Sequence, residues 1–460
     1  METNVLTEKI CHNISIGCDV HSDNVVCCCL QKMENGSLLQ TKEVFPTNYK
    51  ALSSFAEWCK ALNPEVILME STGNYWVSPY EALEEAALPI NIVNPAYVKG
   101  MAGYKTDQED AHWLAQIGMN GSYKPSYIPT RYYRHLQAVE RSLRKQTNTL
   151  AEYKNRETKL FVTAGFRLGV FSDEFGKLAT MAKNAILEGK TPEEVYAILS
   201  ADSAFKRLKA SKTELLEAFH GHMSDPLKKA ILDNKEIYSF VQQKIQSTKE
   251  YLLSEVKRLD GDALQLLQTI PGIDELSAAI ILIEIGGSEH FLSAFEKADS
   301  FSAWTGLCPG NNDSNSKRTG KKGRHGNRYL RQTFCESAQA AARTKGTTFQ
   351  SKFQSLKIRL GFKRSLVAIA HKIAKMVFYV LSHHCAYRDP KIDYQALSCK
   401  RNKSRWLRQL VACEDLEIVA VNKKTGQVYD SKAYQTHEQA ENAVNGRKLA
   451  GKVRSTASRA

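Results

Sequence analysis

Two short apolar runs near the start of the chain each close on a carboxylate: Ile14-Ser15-Ile16-Gly17-Cys18-Asp19 and Val66-Ile67-Leu68-Met69-Glu70. A run of this kind reads as a strand whose last residue leaves the core, so Asp19 and Glu70 are expected at strand ends. Two further acids follow in Lys105-Thr106-Asp107-Gln108-Glu109-Asp110-Ala111, where a helical pattern begins. Asp107 and Asp110 are three apart and share a helix face. Two strand ends and one helix face can converge on one point. Carboxylates gathered without His or Cys suit a hard cation, Mg²⁺ first and Mn²⁺ as a substitute. A pair of such ions about 4 Å apart activates an attacking oxygen and stabilises a leaving one in phosphoryl transfer. The plainer alternative makes Asp107 an ordinary acid at a helix start and Glu70 a surface residue.

The order of elements around those acids narrows the fold class to α/β followed by α. Residues 13–19, 24–30, 38–45, 65–70 and 88–94 are short, rich in Val and Ile and separated by polar, Gly, Asn or Pro links, so they read as strands. Residues 51–62 and 79–87 read as helices between the later strands, and 107–117 as the helix that completes the site. Three strands able to form a meander, then strand–helix alternation, fit a ribonuclease H-like mixed sheet. From about 131 to 258 the pattern turns helical. Ile237, Val241, Ile245, Leu252 and Val256 make a rough apolar stripe, consistent with a coiled-coil arm or with a compact helical subdomain.

At 460 residues the chain is long enough for two to four domains, and another begins near Leu264. Thr269-Ile270-Pro271-Gly272-Ile273 before Ser277-Ala278-Ala279-Ile280 looks like a helix-hairpin-helix, in which a helix start offers N–H groups to a phosphate. A tight interhelical turn is the alternative. Residues 365–381 read as a buried helix. After Pro390 the character changes: 417–421 is strand-like, 422–426 a turn, and 447–460 a basic tail expected to be disordered.

A formal net charge of +14 at pH 7 implies a polyanionic partner, nucleic acid before membrane. No stretch reaches about 18 uninterrupted apolar residues, so no membrane span is expected. The N-terminal residues lack the basic-then-apolar layout of a secretory signal. The 11 cysteines are odd in number and irregularly spaced, which reads as reduced, buried thiols in a cytoplasmic protein. His383-His384-Cys385 is read as a plain helix end, with metal contact the alternative.

Residues 306–331 are the most unusual stretch, with Lys317, Arg318, Lys321, Lys322, Arg324, Arg328 and Arg331 against one acid, Asp313. These cations, and Lys105 beside the helix acids, are the expected nucleic-acid contacts. Within the stretch, Pro309-Gly310-Asn311-Asn312-Asp313-Ser314-Asn315-Ser316-Lys317-Arg318 sets serines in a glycine-flanked cationic loop. A hydroxyl there can attack phosphorus if nearby charge stabilises the transition state, although such a loop is more often only a loop.

Several ordered motifs then carry a resemblance. Cys18-Asp19-Val20-His21, Glu70-Ser71-Thr72-Gly73-Asn74-Tyr75-Trp76 and Lys105–Ala111 resemble the three signatures of the DEDD-type insertion-sequence transposases, relatives of the Piv-type DNA invertases. Pro271-Gly272-Ile273, Gly306-Leu307-Cys308-Pro309-Gly310-Asn311, Lys317-Arg318, Gly326-Asn327-Arg328-Tyr329-Leu330-Arg331 and 338–342 resemble that family's C-terminal domain. The resemblance spans residues 12–390.

It implies a RuvC-like domain over 12–165, a helical or coiled-coil connection over 166–262, a mainly helical transposase domain over 263–390 and a basic extension over 391–460. It implies catalysis by Asp19, Glu70, Asp107 and Asp110 around Mg²⁺, and by a serine five residues after the Pro of a Gly-x-x-Pro motif. Gly306 and Pro309 match that motif, which makes the serine Ser314, with Ser316 as its competitor. The further implications are a covalent serine–DNA intermediate, donor and target double-stranded DNA, a structured guide (bridge) RNA that reads them by base pairing, and a dimer assembling to a tetramer. Ser22 departs from the basic residue the family often has there, and 391–460 goes beyond its pattern. A metal-dependent junction resolvase of the same fold, and a non-enzymatic remnant of a decayed element, are the alternatives.

Overall fold

The structure, a computed structural model, describes residues 10–71, 73–94, 107–308 and 326–398, with the backbone alone for 107–108, 313–314, 317–318, 419–421 and 428–430. The chain divides into two compact units, Met1–Val139 with Ile285–Ala294, and Glu140–Glu284 with Phe295–Ala460.

The first unit holds a mixed sheet. Strands β1 (Ile14–Val20), β2 (Asn24–Lys32) and β3 (Leu38–Pro46) form an antiparallel meander, and β4 (Val66–Glu70) and β5 (Ile90–Val93) add parallel to β1, giving the order β3-β2-β1-β4-β5. Parallel neighbours need a crossover, and helices α1 (Tyr49–Leu62) and α2 (Val77–Glu85) supply it. Asn48 caps α1 through its side chain, which accepts from the Ala51 N–H at 3.0 Å, and Asn63 ends it in the left-handed conformation. Leu52, Phe55, Ala56 and Cys59 of α1 pack on Ile16, Cys18, Cys27, Cys29, Ile67 and Met69. Helix α3 (Asp107–Asn120) covers the opposite face, where Ala111 and Ala115 meet Val26 and Cys28, and Leu114 and Ile117 meet Val66 and Leu68. Burial on both faces explains why β1, β2 and β4 read as continuous apolar runs. The Cys27-Cys28-Cys29 run alternates between the two faces. All five strands, both crossover helices and α3 lie where the sequence pattern expects them, within a few residues.

Residues Ile285–Ala294 also belong to this unit, although they lie far from the sheet in sequence. Tyr127 Oη donates to the Ile285 carbonyl, and His290 Nε2 lies 2.9 Å from the Ile128 carbonyl, its ring stacked on Tyr127.

The second unit is largely helical. The greater part of α4 (Arg131–Thr163) runs antiparallel to α8 (Asp225–Gln268): Asn234 Nδ2 donates to the Tyr153 carbonyl at 2.9 Å, and Thr248 Oγ1 to Gln146 Oε1 at 3.4 Å. At one end α5 (Lys177–Leu187), α6 (Pro192–Ser200) and α7 (Lys212–Ala218) close a core around Phe161, Phe166, Val195, Leu215 and Ile231. Long helical pair and compact subdomain are therefore both present. Ile245, Leu252 and Val256 of the expected stripe are buried, but Ile237 is 42% exposed and does not belong to it.

Helix α9 (Glu275–Ile285) follows the Thr269–Ile273 turn. Gly272, at φ +90°, is pressed against α12 (Arg328–Ala341): a Cβ there would lie 2.2 Å from the Ser337 carbonyl oxygen. The Asp274 carboxylate accepts from the Ser277 N–H at 2.9 Å, so an acid already occupies the start of α9. The turn therefore packs the hairpin on α12. Helix α14 (Phe362–Ser382) buries Ile369, Ile373, Val377 and Val380 among α11 (Ala298–Trp304), α12 and α13 (Thr348–Leu360), while Leu366, Val367 and Met376 are only half-buried. It is long and apolar enough to cross a membrane by length and composition, and 44% of its most apolar window is buried in this unit. The last described strands, β8 (Val419–Val421) and β9 (Val428–Asp430), pair antiparallel; the expected turn at 422–426 lies outside the described residues.

Candidate active site

Strand register sets Asp19 beside Glu70. The parallel ladder of β1 and β4 runs from Ser15↔Val66 to Cys18↔Met69, and Asp19 and Glu70 are the next residues on each strand. Side chains alternate along a strand. Gly17 faces α3, so Asp19 does too; across β2 it pairs with Val26, which packs on the same helix. Val66 and Leu68 face α3, and Glu70 continues their row.

Helix α3 runs antiparallel to β1. Ala111 lies at Gly17, Gly118 at Ser15, and the Met119 carbonyl accepts from the N–H groups of Cys11 and His12. The helix therefore starts at the Asp19 end of the sheet. Two glycines permit this approach: a Cβ on Gly17 would lie 2.1 Å from the Ala111 oxygen, and one on Gly118 would lie 2.3 Å from Ser15 Oγ. Asp110 is half-buried one turn before Leu114, while Glu109 is exposed. The backbone of Asp107 stands one turn before Ala111; its side chain lies outside the description.

Asp19 is buried at 8% exposure, and His21 Nε2 sits 3.0 Å from its Oδ2. This histidine was visible in the sequence only as a motif residue. Among the described residues, no three side chains of metal-ligating type stand together. Asp19, Glu70 and Asp110 carry oxygen donors only, the chemistry that a hard divalent cation takes. The described cysteines are free thiols. Burial raises the Cys29 thiol to about 11, and the contact to Cys27 with burial raises Cys18, so both are held as protonated core thiols. His383 ends α14, stacked on Tyr379 with Nδ1 3.0 Å from its carbonyl, as a plain helix end would.

Ser314 lies in the second unit, in a two-stranded ribbon of β6 (Asp313–Ser314) and β7 (Lys317–Arg318), opposite Lys317, with Asp313 opposite Arg318. Ser316, Lys105, Lys321, Lys322 and Arg324 fall outside the described residues. Arg328 and Arg331 occupy the first turn of α12; Arg328 is exposed and donates to Tyr329 Oη at 2.6 Å, and Arg331 is half-buried. Asn327 caps α12, its side-chain oxygen accepting from the N–H groups of Tyr329 and Leu330.

A five-stranded order of this kind, with carboxylates on two central strand ends and a helix across them, defines a RuvC-like domain, here followed by a largely helical one. Residues 16–164 match a family model described as a transposase, the DEDD transposase of IS110 type, and residues 264–354 match the transposase IS116/IS110/IS902 family. The two matches together cover just over half of the chain, which belongs to the IS110 family of DEDD transposases, enzymes that act on DNA. Among solved structures, one of RuvC from Thermus thermophilus is similar over 25% of this chain and 99% of its own, at 16% identity and a TM-score of 0.20. Comparison with curated proteins gives no match.

Proposed function

We propose that this transposase is an RNA-guided DNA recombinase that cuts and rejoins donor and target DNA through a serine–DNA intermediate. The observation that carries the reading is the meeting of Asp19, Glu70 and the start of α3 at one end of the sheet. Asp19, Glu70, Asp107 and Asp110 would hold Mg²⁺, which supplies positive charge to a scissile phosphate. Ser314 Oγ forms a bond to phosphorus as the P–O bond to the departing deoxyribose breaks, and the hydroxyl proton passes to the departing oxygen. Attack by the incoming strand's hydroxyl reverses these changes and frees the serine. Lys317 and Arg318, on the strand opposite Ser314, stabilise the added negative charge, with Lys321, Lys322, Arg324, Arg328 and Arg331 extending the cationic surface. The +14 charge supports recognition through backbone and shape, with sequence delegated to a guide RNA.

The test incubates the protein and its co-purified RNA with donor and target DNA, quenches with denaturant and resolves the products on a denaturing gel. A protein–DNA adduct that disappears in Ser314→Ala is the expected result. Free nicked ends without an adduct would instead identify a metal-dependent nuclease.

A further inference from the structure

Against the start of α12 lies a group of charges that the chemistry above does not use. Glu140 and Glu284 are both fully buried at 0% exposure. A carboxylate in such a place is stable only when paired and hydrogen-bonded. Glu140 pairs with Arg141 through Oε2 and with Arg144 through Oε1; Glu284 pairs with Arg141 through Oε1. Two acids and two guanidiniums leave the group neutral. Arg144 also donates to Thr333 Oγ1 at 3.1 Å, and the Arg141 guanidinium lies 3.3 Å from the centroid of the Tyr329 ring.

The remaining oxygen of Glu284 reaches the cap of α12. Asn327 Nδ2 donates to Glu284 Oε2 at 2.7 Å, and the Asn327 N–H donates to the Trp304 carbonyl at 3.0 Å. Next to it, Gly326 is so close to the outgoing chain that a Cβ would lie 2.3 Å from the Gly306 nitrogen. The chain before and after Ser314 is therefore held together at Gly306 and Gly326, beside a tie to buried carboxylates. Burying two carboxylates against two half-buried guanidiniums is a poor route to stability, since apolar residues of the same volume often do as well or better. What such a cluster can supply is one fixed geometry, which a reaction needs: a misplacement of about 1 Å costs on the order of 10²-fold in rate.

We propose that Glu140, Arg141, Arg144 and Glu284, acting through Asn327, are positioning residues that fix the close approach of Gly306 and Gly326, between which Ser314 lies in sequence, for strand transfer; this rests on Ser314 being the nucleophile. Asn327→Asp keeps the oxygen that caps α12 but replaces the donor to Glu284 with a carboxylate. The double variant Asn327→Asp/Glu284→Gln exchanges donor and acceptor across the tie and keeps the group neutral.

The readouts are the single-turnover rate of adduct formation, the Kd for donor DNA and the melting temperature, with Ser314→Ala run alongside. Asn327→Asp is expected to slow adduct formation by about 10²-fold while DNA affinity stays near that of the unaltered protein. The double variant is expected to recover a large part of that loss. Adduct formation at the unaltered rate in Asn327→Asp, or loss of DNA binding in parallel with rate and no recovery in the double variant, would overturn the inference. Adducts persisting in Ser314→Ala would instead sink the nucleophile assignment on which it rests.

Discussion

A methyl group at Gly17 would meet the α3 backbone, 2.1 Å from one carbonyl oxygen and 2.4 Å from the Ala115 nitrogen. Neither atom can swing aside as a side chain could. Gly17→Ala should therefore lift α3 off β1, cost about 1–3 kcal/mol or more by overpacking, and lose recombination with the displaced Asp107 and Asp110. Chemical denaturation and a recombination assay check this, with Gly261→Ala as control, because nothing lies within 4 Å of a Cβ there. At the carboxylates, Asp19→Ala or Asp110→Ala should abolish recombination while guide-RNA binding persists. Substantial recombination by both would exclude a shared site. Glu109, exposed on the helix, should tolerate alanine, and Asp107→Ala is expected to be milder if its carboxylate lies one layer out from the metal.

Elements differ in how openly the sequence declared them. Strands β1, β2 and β4 were legible because both faces are buried and most positions along them are apolar, and the acids stood out near the ends of those runs. Segment Ile285–Ala294 was not, because its partners Tyr127 and Ile128 lie about 160 residues away and no local period records them. The tie between Glu140, Glu284 and Asn327 was hidden for the same reason. In sequence each is one charged or polar residue in a helix or at its start. At the Thr269–Ile273 turn the glycine was visible in the sequence, but its contact with α12 was not. On α14, burial and the nearby Lys375 lower the His371 pKa against the opposing pull of Asp299, and its Nε2 lies 3.7 Å from Cys308 Sγ. A histidine depressed in the folded state binds its proton less readily than in the unfolded chain. Stability should therefore fall as pH drops below about 6.5, the ordinary histidine value. His371→Gln should flatten that slope in a series of melting curves; an unchanged slope would clear His371 of the role.

For the molecule as a whole, the charge of +14 makes a prediction about salt. If about six to ten phosphates are neutralised, affinity for nucleic acid should fall by about 10³ to 10⁵ between about 50 and 200 mM salt. Filter binding across that range checks it, and an insensitive complex would refute electrostatic docking. Removing residues 447–460 should lower the slope only if the tail contacts nucleic acid. The most direct test of the account is mass mapping of the trapped protein–DNA adduct after proteolysis, because it reads the bond that the carboxylates, the cationic loop and its buried tie would serve. A single nucleotide-bearing peptide linked through Ser314 is expected, absent from Asp19→Ala and Ser314→Ala. A link through Ser316 or any other residue, or no adduct beside cleaved DNA, would contradict it.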